Sequence, residues 1–356
     1  MSENHKKIAF MSLPFEANYG GCIQSWALYY FLLKNGYEPT FLNRRWNIKE
    51  TSLIRSLLRW GYLNVYLYPF MHFVKKNIRL SPVFRDSLSL KEYVERGGFE
   101  AVITGSDQVW RIENVRGADL NFFLDFLSGS KIKKISYAAS FGSDDWKGQE
   151  EETKTISKLL QEYSLISVRE DSGVALCREN FGADAVSVLD PTMLLTSEAY
   201  RKVANVKSAM PSGVVTYILD NNRWKSGYIS MISEKLGTSE IALYPKRMGR
   251  LNRFVSIEKW ISSIANAKYV VVDSFHGMVF ALLFNKPFTV IANVSRGLPR
   301  FTSLLSKLDL MDRLVYEGTD VDTNFIERPI DYATVNNKLE ILRKQSAELL
   351  INAIEK

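Results

Sequence analysis

The chain opens with Ile8-Ala-Phe-Met-Ser12 and Asn18-Tyr-Gly-Gly21, and this stretch decides the class of fold. The mostly apolar first segment predicts a buried strand, and the paired glycines predict a turn after it. Apolar residues then recur at helical spacing from Ile23 to Leu33, and Thr40-Phe-Leu-Asn43 follows as a second short strand. Strand, turn, helix and strand in this order predict a βαβ unit.

Short apolar stretches keep alternating with helical patterns along the rest of the chain. Further predicted strands are Ala101-Val-Ile-Thr104, Lys134-Ile-Ser-Tyr-Ala138, Leu165-Ile-Ser-Val168, Ala185-Val-Ser-Val-Leu189, Val214-Val-Thr-Tyr-Ile218, Ile241-Ala-Leu-Tyr244, Tyr269-Val-Val-Val272 and Phe288-Thr-Val-Ile291. Helices are predicted near residues 151–163, 171–180, 227–236, 278–284 and 335–354. Strands that alternate with helices favour parallel, doubly wound sheets, so the predicted fold class is α/β.

The chain is long enough for two domains. At 356 residues it exceeds the usual size of a single hydrophobic core. The strand and helix series is interrupted at Asp190-Pro-Thr192, and a second series then begins. We therefore expect two Rossmann-like domains, residues 1–194 and 195–356, that form a clamshell. The terminal helix is expected to pack back across the first domain.

The composition favours acidic partners without choosing one. Lys and Arg number 46 against 39 Asp and Glu, a net charge of +7. Phosphorylated substrates and an anionic membrane surface fit this excess, whereas nucleic-acid binding would rest on charge alone and is not expected. Two distant cysteines, Cys22 and Cys177, suggest neither a disulfide framework nor a zinc site, which favours a reducing cytoplasm and no metal site.

Two features bear on a membrane. The N-terminus passes directly into the first strand without the apolar stretch of a signal peptide, and no apolar run of about 18 residues predicts a spanning helix. A soluble or peripheral protein is expected. The aromatic segment at residues 60–74, with basic flanks, suits a patch at the inner membrane surface. A packed helical insertion within residues 50–80 is the favoured alternative, because Pro69 interrupts the pattern and aromatic residues also fill cores.

One of the three histidines lies where α/β proteins normally carry out chemistry. His276 follows Val270-Val-Val-Asp273, at the turn from a buried strand into a helix. Parallel sheets bind ligands at the carboxyl ends of strands and at the helix N-termini that follow, and imidazole exchanges protons near neutral pH. The structural alternative is a helix capped by Asp273 or Ser274, with the histidine merely in its first turn.

Arginines follow two other predicted strands. Arg296 and Arg300 come after the strand next to that of His276, and Arg169 ends a strand of the first half. Guanidinium groups match the geometry of phosphate and carboxylate. The alternatives are unpaired surface arginines in the first case and, for Arg169, a salt bridge with its neighbours Glu170 and Asp171.

Two turns of small residues are further candidates. Gly105-Ser-Asp107 ends a predicted strand, and Asn18-Tyr-Gly-Gly21 follows the first one, so backbone amides or the Asp107 carboxylate can approach a ligand closely. Glycine turns also occur without function. The chain contains no GxxxxGK[ST], HExxH or GxSxG motif, and no GxGxxG after the first strand. Nucleotide hydrolysis, zinc proteolysis, ester hydrolysis and dinucleotide redox chemistry therefore lack support.

Six short motifs, taken in order, resemble the polysaccharide pyruvyl transferase family. They are Asn18-Tyr-Gly-Gly-Cys-Ile-Gln24, Gly105-Ser-Asp-Gln-Val-Trp110, Ser136-Tyr-Ala-Ala-Ser-Phe-Gly142, Ile166-Ser-Val-Arg-Glu170, Leu189-Asp-Pro-Thr192 and Asp273-Ser-Phe-His-Gly277. The resemblance implies a fold similar to B-type glycosyltransferases. It also implies transfer of pyruvate from phosphoenolpyruvate, as co-substrate and without a cofactor, to a sugar as a ketal. The implied product is a capsule, exopolysaccharide or cell-wall polymer, and the acceptor is often lipid-linked.

The resemblance also assigns roles. His276 matches the catalytic histidine of the family, and Arg169 matches its first-domain arginine for phosphoenolpyruvate. Many members have Arg-Leu before that histidine where Ser274-Phe275 stand here, so we expect Arg296 or Arg300 to complete the donor site. The expected catalytic residues are His276 and Asp107. The expected substrate-binding residues are Arg169, Ser274, Phe275, Arg296, Arg300, Asn18, Gly20, Gly21 and Ser106.

Two rival functions use the same features. A nucleotide-sugar glycosyltransferase would place His276 and the arginines around a diphosphate. A non-catalytic module would keep the fold and bind an anionic glycan, and the serine at position 274 favours it while the retained histidine does not. Function lies in the site and not in the fold, so the sequence leaves both alternatives open.

Overall fold

The chain forms an α/β structure built on parallel sheets. The computed structural model describes residues 5–46, 66–207, 210, 212–244, 254–292, 297–319 and 323–356. The strands are β1 Lys7–Met11, β2 Glu38–Arg44, β3 Leu80–Phe84, β4 Ala101–Thr104, β5 Gly117–Leu120, β6 Lys133–Ser136, β7 Tyr163–Leu165, β8 Ser167–Val168, β9 Val186–Ser187, β10 Ser212–Tyr217, β11 Glu240–Ala242, β12 Ala267–Val272, β13 Phe288–Ile291 and β14 Leu314–Val315. The helices are α1 Tyr19–Lys34, α2 Tyr68–Asn77, α3 Ser87–Arg96, α4 Ile112–Val115, α5 Glu150–Leu160, α6 Asp171–Phe181, α7 Ser197–Val203, α8 Arg223–Lys235, α9 Ile257–Ala265, α10 Phe275–Leu283, α11 Leu298–Lys307 and α12 Tyr332–Glu355.

The first sheet has the strand order β3-β2-β1-β4-β6-β7, and its pairings are parallel. The chain winds outward from β1 towards one edge and from β4 towards the other, which is the order of a doubly wound Rossmann sheet. The reversal leaves a crevice beyond the carboxyl ends of β1 and β4. Open α/β sheets bind their ligands in such a crevice.

The second sheet has the order β11-β10-β12-β13-β14 and is also parallel. Its winding reverses between β10 and β12, so a second crevice lies beyond the carboxyl ends of that pair. The strands of the first sheet precede residue 166, and those of the second follow residue 211. The boundary expected at residue 195 falls between the two sheets and stays a prediction.

The terminal helix α12 joins the end of the chain to the first sheet. Glu355 accepts hydrogen bonds from the Lys6 ammonium at 2.6 Å and from the Tyr37 hydroxyl at 2.7 Å. The Lys133 ammonium donates to the carbonyl of Ile354 at 2.7 Å. The helix therefore packs back across the first sheet, as the sequence led us to expect.

Helix α1 is buried on nearly all sides because it lies between the two halves. The Tyr19 ring stacks on Trp260 of α9, with centroids 5.5 Å apart and planes 14° apart. The Tyr19 hydroxyl donates to the carbonyl of Val255 at 2.8 Å. Trp26 meets Tyr200 edge-on at 5.5 Å. Aromatic contacts of this kind add to the energy of area burial, so they fix the start of α1 against the second half.

Two local predictions are wrong. The predicted strand Leu165–Val168 is two elements, because β7 pairs in the first sheet while β8 leaves it to pair with β9. The paired glycines were expected to form a turn before the first helix, but Gly20 and Gly21 lie in the first turn of α1 itself, which begins at Tyr19.

The described part of the aromatic segment supports the packed alternative. Within α2, Phe70 and Phe73 are fully buried against α1, whereas Tyr68 is 58% exposed. Pro69 does not break the pattern, because it stands in the first turn of α2. Residues 47–65 lie outside the described residues. Among the helices that are described, none has the length and apolar character needed to cross a membrane.

Candidate functional site

A cavity of about 640 Å³ opens where the crevices of the two large sheets face each other. Its walls are the segments that follow β1, β4, β10, β12 and β13. The lining residues are Leu13, Glu16, Asn18, Gly20, Asp107, Gln108, Arg111, Asn114, Tyr217, Leu219, Asp220, Asp273, Ser274, Phe275, His276, Arg300 and Phe301. Both topological switch points thus open into one space, which makes this cavity the candidate site.

The N-terminus of α1 forms the first-half wall. Asn18 caps the helix, since its side-chain oxygen accepts from the Gly21 amide at 3.1 Å. Gly20 then lies directly against the imidazole of His276. A Cβ at position 20 would stand only 2.0 Å from Nδ1 of that ring. The absence of a side chain at Gly20 therefore lets the two halves meet at the histidine.

The N-terminus of α10 forms the opposite wall. Ser274 caps this helix, because its hydroxyl accepts from the Gly277 amide at 3.1 Å. His276 follows in the first turn and is 7% exposed. Its Nε2 lies 3.6 Å from Oδ2 of Asp190 and has no hydrogen-bond partner among the described residues. The start of α1 and the start of α10 thus converge on the cavity, and helix N-termini favour anions.

Asp190 is a buried hub behind His276. Its Oδ2 accepts from Arg169 at 2.9 Å and from the Ser106 hydroxyl at 3.0 Å, while its Oδ1 accepts from the amide and hydroxyl of Thr192. Burial would raise the pKa of Asp190, but His276, Arg169 and Thr192 together hold it well below its usual range. Asp190 therefore presents a permanent negative charge to the imidazole.

Asp107 brings a second carboxylate to the cavity. Its oxygen Oδ1 lies 3.4 Å from Arg169 and 3.9 Å from Arg300. Burial would raise the pKa of Asp107, but Arg169, His276 and Arg300 lower it below the usual value. Its backbone has φ of 75°, an uncommon value for a residue other than glycine. Asp107 is therefore an ionised carboxylate that can accept hydrogen bonds on the cavity wall.

The ring of Phe275 contacts two guanidinium groups. The central carbon of Arg169 lies 4.9 Å from the ring centroid, and that of Arg300 lies 5.7 Å from it. An aromatic face attracts cations, so the ring stabilises both guanidinium groups. Burial and the charge of Arg169 lower the pKa of Arg300 to about 10. A bound anion would raise this pKa again, because a nearby negative charge favours the protonated guanidinium.

The Asp273 carboxylate lies at the cavity wall and already accepts three hydrogen bonds from the protein. It accepts from the amides of Leu219 and Asp220 at 2.7 and 3.2 Å, and from the buried Lys225 ammonium at 2.9 Å. These donors belong to the segment after β10 and to α8. Asp273 therefore holds together the segments that form the cavity wall in the second half of the chain. Ser274, and not Asp273, caps helix α10.

The model of the family described as polysaccharide pyruvyl transferase matches residues 18–296. The chain belongs to the polysaccharide pyruvyl transferase family. No curated protein sequence matches the chain. Membership makes it a transferase of pyruvyl groups by family, with a saccharide as the acceptor.

Solved structures similar to this pyruvyl transferase family member agree on the fold. UGT89C1 of Arabidopsis thaliana, complexed with UDP-L-rhamnose, has a TM-score of 0.58 at 9% identity, over 98% of this chain and 99% of that one. UDP-N-acetylglucosamine 2-epimerase from Rickettsia bellii has a TM-score of 0.56 at 11% identity, over 99% of this chain and 97% of that one. The expected fold, two Rossmann-like domains similar to B-type glycosyltransferases, is therefore confirmed.

Most of the site residues expected from the family resemblance lie at the cavity. Those that line it are Asn18, Gly20, Asp107, Ser274, Phe275, His276 and Arg300. Gly21 lines an adjoining cavity. Arg169 and Ser106 do not line it, because both are buried behind the wall and bind Asp190. Arg296 lies outside the described residues.

Sequence reasoning missed Asp190 as a site residue of this pyruvyl transferase family member, although it lies in one of the six motifs. A signal was present, since Asp190 directly follows a predicted buried strand and precedes a proline. The polar residues Glu16, Gln108, Arg111 and Asn114 were also missed. Nothing in their spacing separates them from ordinary surface residues. No group of three or more His, Cys, Asp or Glu side chains within the described ranges is arranged to hold a metal ion.

The depressed pKa values of Asp107 and Asp190 predict an acid-sensitive fold. In the unfolded chain an aspartate has a pKa of about 3.9. A carboxyl whose pKa is lower in the folded chain contributes its full stabilisation when the pH is above this unfolded value. This stability is lost as the pH falls through the folded pKa. Below pH 4 the free energy of unfolding should fall less steeply in Asp107→Asn than in the wild type, by up to about 1.4 kcal/mol per pH unit.

Chemical denaturation between pH 2.5 and 7 measures this slope. Asp184→Asn is the matched control, because the Asp184 side chain is 98% exposed. It should keep the slope of the wild type. An Asp107→Asn slope that also equals the wild type would contradict the assignment of Asp107 as a buried, ion-paired carboxylate.

Proposed function

We propose that the chain transfers the pyruvyl group of phosphoenolpyruvate to a sugar as a pyruvate ketal and releases phosphate. The observation that carries the proposal is a single cavity whose lining combines the imidazole of His276, the guanidinium of Arg300 and the ionised carboxylate of Asp107. Phosphoenolpyruvate carries a phosphate and a carboxylate and needs cationic groups. Ketal formation needs an acid and a base.

Arg300 and the N-termini of α1 and α10 hold the anionic groups of the donor in this proposal. Arg300 supplies a planar fork of donors that matches phosphate or carboxylate. Arg169 does not contact the donor directly, because its guanidinium lies behind the cavity wall and pairs with two carboxylates. It orients Asp107 and Asp190, and its charge adds to the positive potential of the site.

The reaction begins with protonation of the donor's methylene carbon by His276. The Asp190 carboxylate faces Nε2 and stabilises the doubly protonated ring, and Nδ1, on the side of Gly20, gives up the proton. One sugar hydroxyl attacks the adjacent carbon and gives its proton to Asp107. The bond from that carbon to the phosphate oxygen breaks, and the phosphate leaves with the proton from Asp107. The second hydroxyl attacks the same carbon and returns a proton to His276, which closes the cycle.

Replacing Arg300 tests the donor-binding role. Arg300→Ala is expected to raise the KM for phosphoenolpyruvate about tenfold or more, because a lost hydrogen bond to a charged group costs about 1.5–3 kcal/mol. Arg300→Lys should recover only part of this loss, because lysine keeps the charge but lacks the fork. The measurement is steady-state kinetics with varied donor.

Arg178→Ala is the matched control for Arg300, because that side chain is 76% exposed and pairs only weakly with Asp184. An unchanged donor KM in Arg300→Ala would remove Arg300 from the donor site and would leave Arg296 as the arginine to examine.

Release of phosphate tests the function itself. Phosphoenolpyruvate and a saccharide acceptor together should release phosphate, and either one alone should not. A panel of nucleotide sugars with the same acceptors serves as the comparison. Consumption of a nucleotide sugar without phosphate release from phosphoenolpyruvate would favour the glycosyltransferase alternative. Binding of glycan without either reaction would favour a non-catalytic module.

The acceptor in this proposal is a lipid-linked saccharide used to build a capsule or exopolysaccharide. Such an acceptor would bring a cytoplasmic chain to the inner face of the membrane as a peripheral protein. The exposed Tyr68 and the exposed Lys75 and Lys76 at the end of α2 suit that contact. Flotation with anionic vesicles tests it, and Tyr68→Ala should weaken the association.

A further inference from the structure

A second cavity of about 300 Å³ adjoins the candidate site on the first-half side. The two cavities share the residues Leu13, Glu16, Asn18, Asp107 and Asn114. The second one is completed by Pro14, Phe15, Gly21, Cys22 and Trp46. Asp107 thus belongs to both walls, so a molecule held in the second cavity would present an edge to the proposed base.

Three polar side chains of this second cavity can make further hydrogen bonds to a ligand. The Glu16 side chain is exposed and has no hydrogen-bond or ion-pair partner within the described ranges. The amide oxygen of Asn18 caps α1, which leaves its amide nitrogen for a ligand. The Asn114 side chain makes only a long 3.4 Å bond to Gln108. Carboxylate and amide groups together bind adjacent hydroxyls, because they accept and donate.

Trp46 gives the cavity an apolar face. Its ring is half-buried and lies against the backbone of Gly117, with Phe122 at 6.0 Å on a tilted plane. The hydrogen-bearing carbons of a pyranose ring form an apolar surface that packs on an aromatic ring. A concave site with one aromatic face and a few placed polar groups is typical of a small-ligand site.

The charges of the two cavities differ. Neither Lys, Arg nor His is among the described residues that line the second cavity, and two carboxylates, Glu16 and Asp107, are. The nearby Arg45 donates to the carbonyl of Phe15 and to Asn43 and does not line it. An anionic sugar would be repelled here, whereas the first cavity has cations.

We infer that the second cavity is the acceptor subsite and that it takes an uncharged hexose or acetamido hexose, with the reacting diol directed at Asp107. Trp46 supports the sugar ring, and Glu16 with Asn114 fixes its hydroxyls. This inference rests on the proposed function and adds the class of acceptor. It divides the site into a half that binds the anionic donor and a half that binds an uncharged acceptor.

Tryptophan fluorescence tests the inference without any donor. Methyl glycosides of neutral hexoses and acetamido hexoses should change the emission of the wild type, and matched methyl uronides should not. Trp46→Phe should lose this response. Trp224→Phe should keep it, because Trp224 stacks on Tyr228 in α8 and lines neither cavity. Equal responses to uronides, or a full response in Trp46→Phe, would overturn the inference.

Kinetics provide the second readout. Glu16→Gln should raise the KM for the acceptor about tenfold and leave the KM for phosphoenolpyruvate unchanged, because the inference assigns Glu16 to the sugar hydroxyls and Arg300 to the donor. Glu113→Gln is the control, since that carboxylate lines neither cavity. Ketal formation with an unchanged acceptor KM in Glu16→Gln overturns the subsite alone. Sugar binding at Trp46 without any ketal formation overturns the proposed function alone.

Discussion

His276→Ala should lower kcat by about 10² to 10⁴, the usual contribution of a general acid or base. The loss should appear in kcat more than in the KM for either substrate, because the imidazole moves a proton in the transition state and holds no anionic group of the donor. His276→Gln should behave in the same way, since its amide keeps much of the volume but does not titrate. Single-turnover measurement of phosphate release reads the chemical step directly.

His72→Ala is the matched control for His276. His72 is exposed on α2, stacks on Tyr68 at 5.5 Å and does not line the cavity. It should keep normal turnover. The thermal unfolding temperature of His276→Gln should also stay close to that of the wild type, which separates lost chemistry from lost folding. Undiminished turnover in His276→Gln would remove the histidine from the mechanism.

Gly20→Ala should lower kcat by roughly 10², although residue 20 carries no functional group. An added Cβ would lie 2.0 Å from Nδ1 of His276, 2.5 Å from Cγ and 2.7 Å from Cε1. The ring must turn away, or the two halves must separate, because atoms do not approach so closely. A displacement of about 1 Å at a reacting group costs about 10²-fold in rate.

A double-mutant cycle separates this effect from general destabilisation. In the His276→Ala background the ring is gone, so Gly20→Ala should cause little further loss. Gly227→Ala is the matched control, because position 227 lies within helix α8 and an added Cβ there meets no atom within 4 Å. It should keep activity and stabilise the fold by about 0.5–1 kcal/mol. Full additivity of the Gly20 and His276 changes would contradict the direct contact.

The sequence predicted the parts of the fold that depend on local pattern. Strand β1, helix α1 and strand β2 follow from apolar spacing and from the glycines that begin the helix. His276 was placed at a strand end for the same reason, since the run Val270–Val272 is apolar and Ser274 is a good helix cap. These features need only neighbours in the chain.

The partners of Arg169 could not be predicted from its neighbours. Glu170 and Asp171 were the carboxylates at hand in the sequence, yet Arg169 pairs with Asp107 and Asp190. The side chain of Glu170 turns the other way and accepts from Ser140 and from two backbone amides. Side chains alternate along extended backbone, so adjacent residues face opposite sides.

The contact between Gly20 and His276 also lay beyond the sequence. The two residues belong to different halves, and the contact exists because Tyr19 anchors the start of α1 in the aromatic core of the second half. The glycine was recognised as a turn, but its function as space for an imidazole requires the packing of both halves. Asp190 was missed for the same reason, since its partners come from three separate segments.

The central claim is the formation of a pyruvate ketal at a site organised around His276. Mass spectrometry of lipid-linked oligosaccharides after incubation with phosphoenolpyruvate tests it most directly. The wild type should convert acceptor into a product heavier by one pyruvate less one water, with one phosphate released per product, and His276→Gln should form almost none. Equal product from His276→Gln, or a sugar transferred from a nucleotide donor in place of pyruvate, would contradict it.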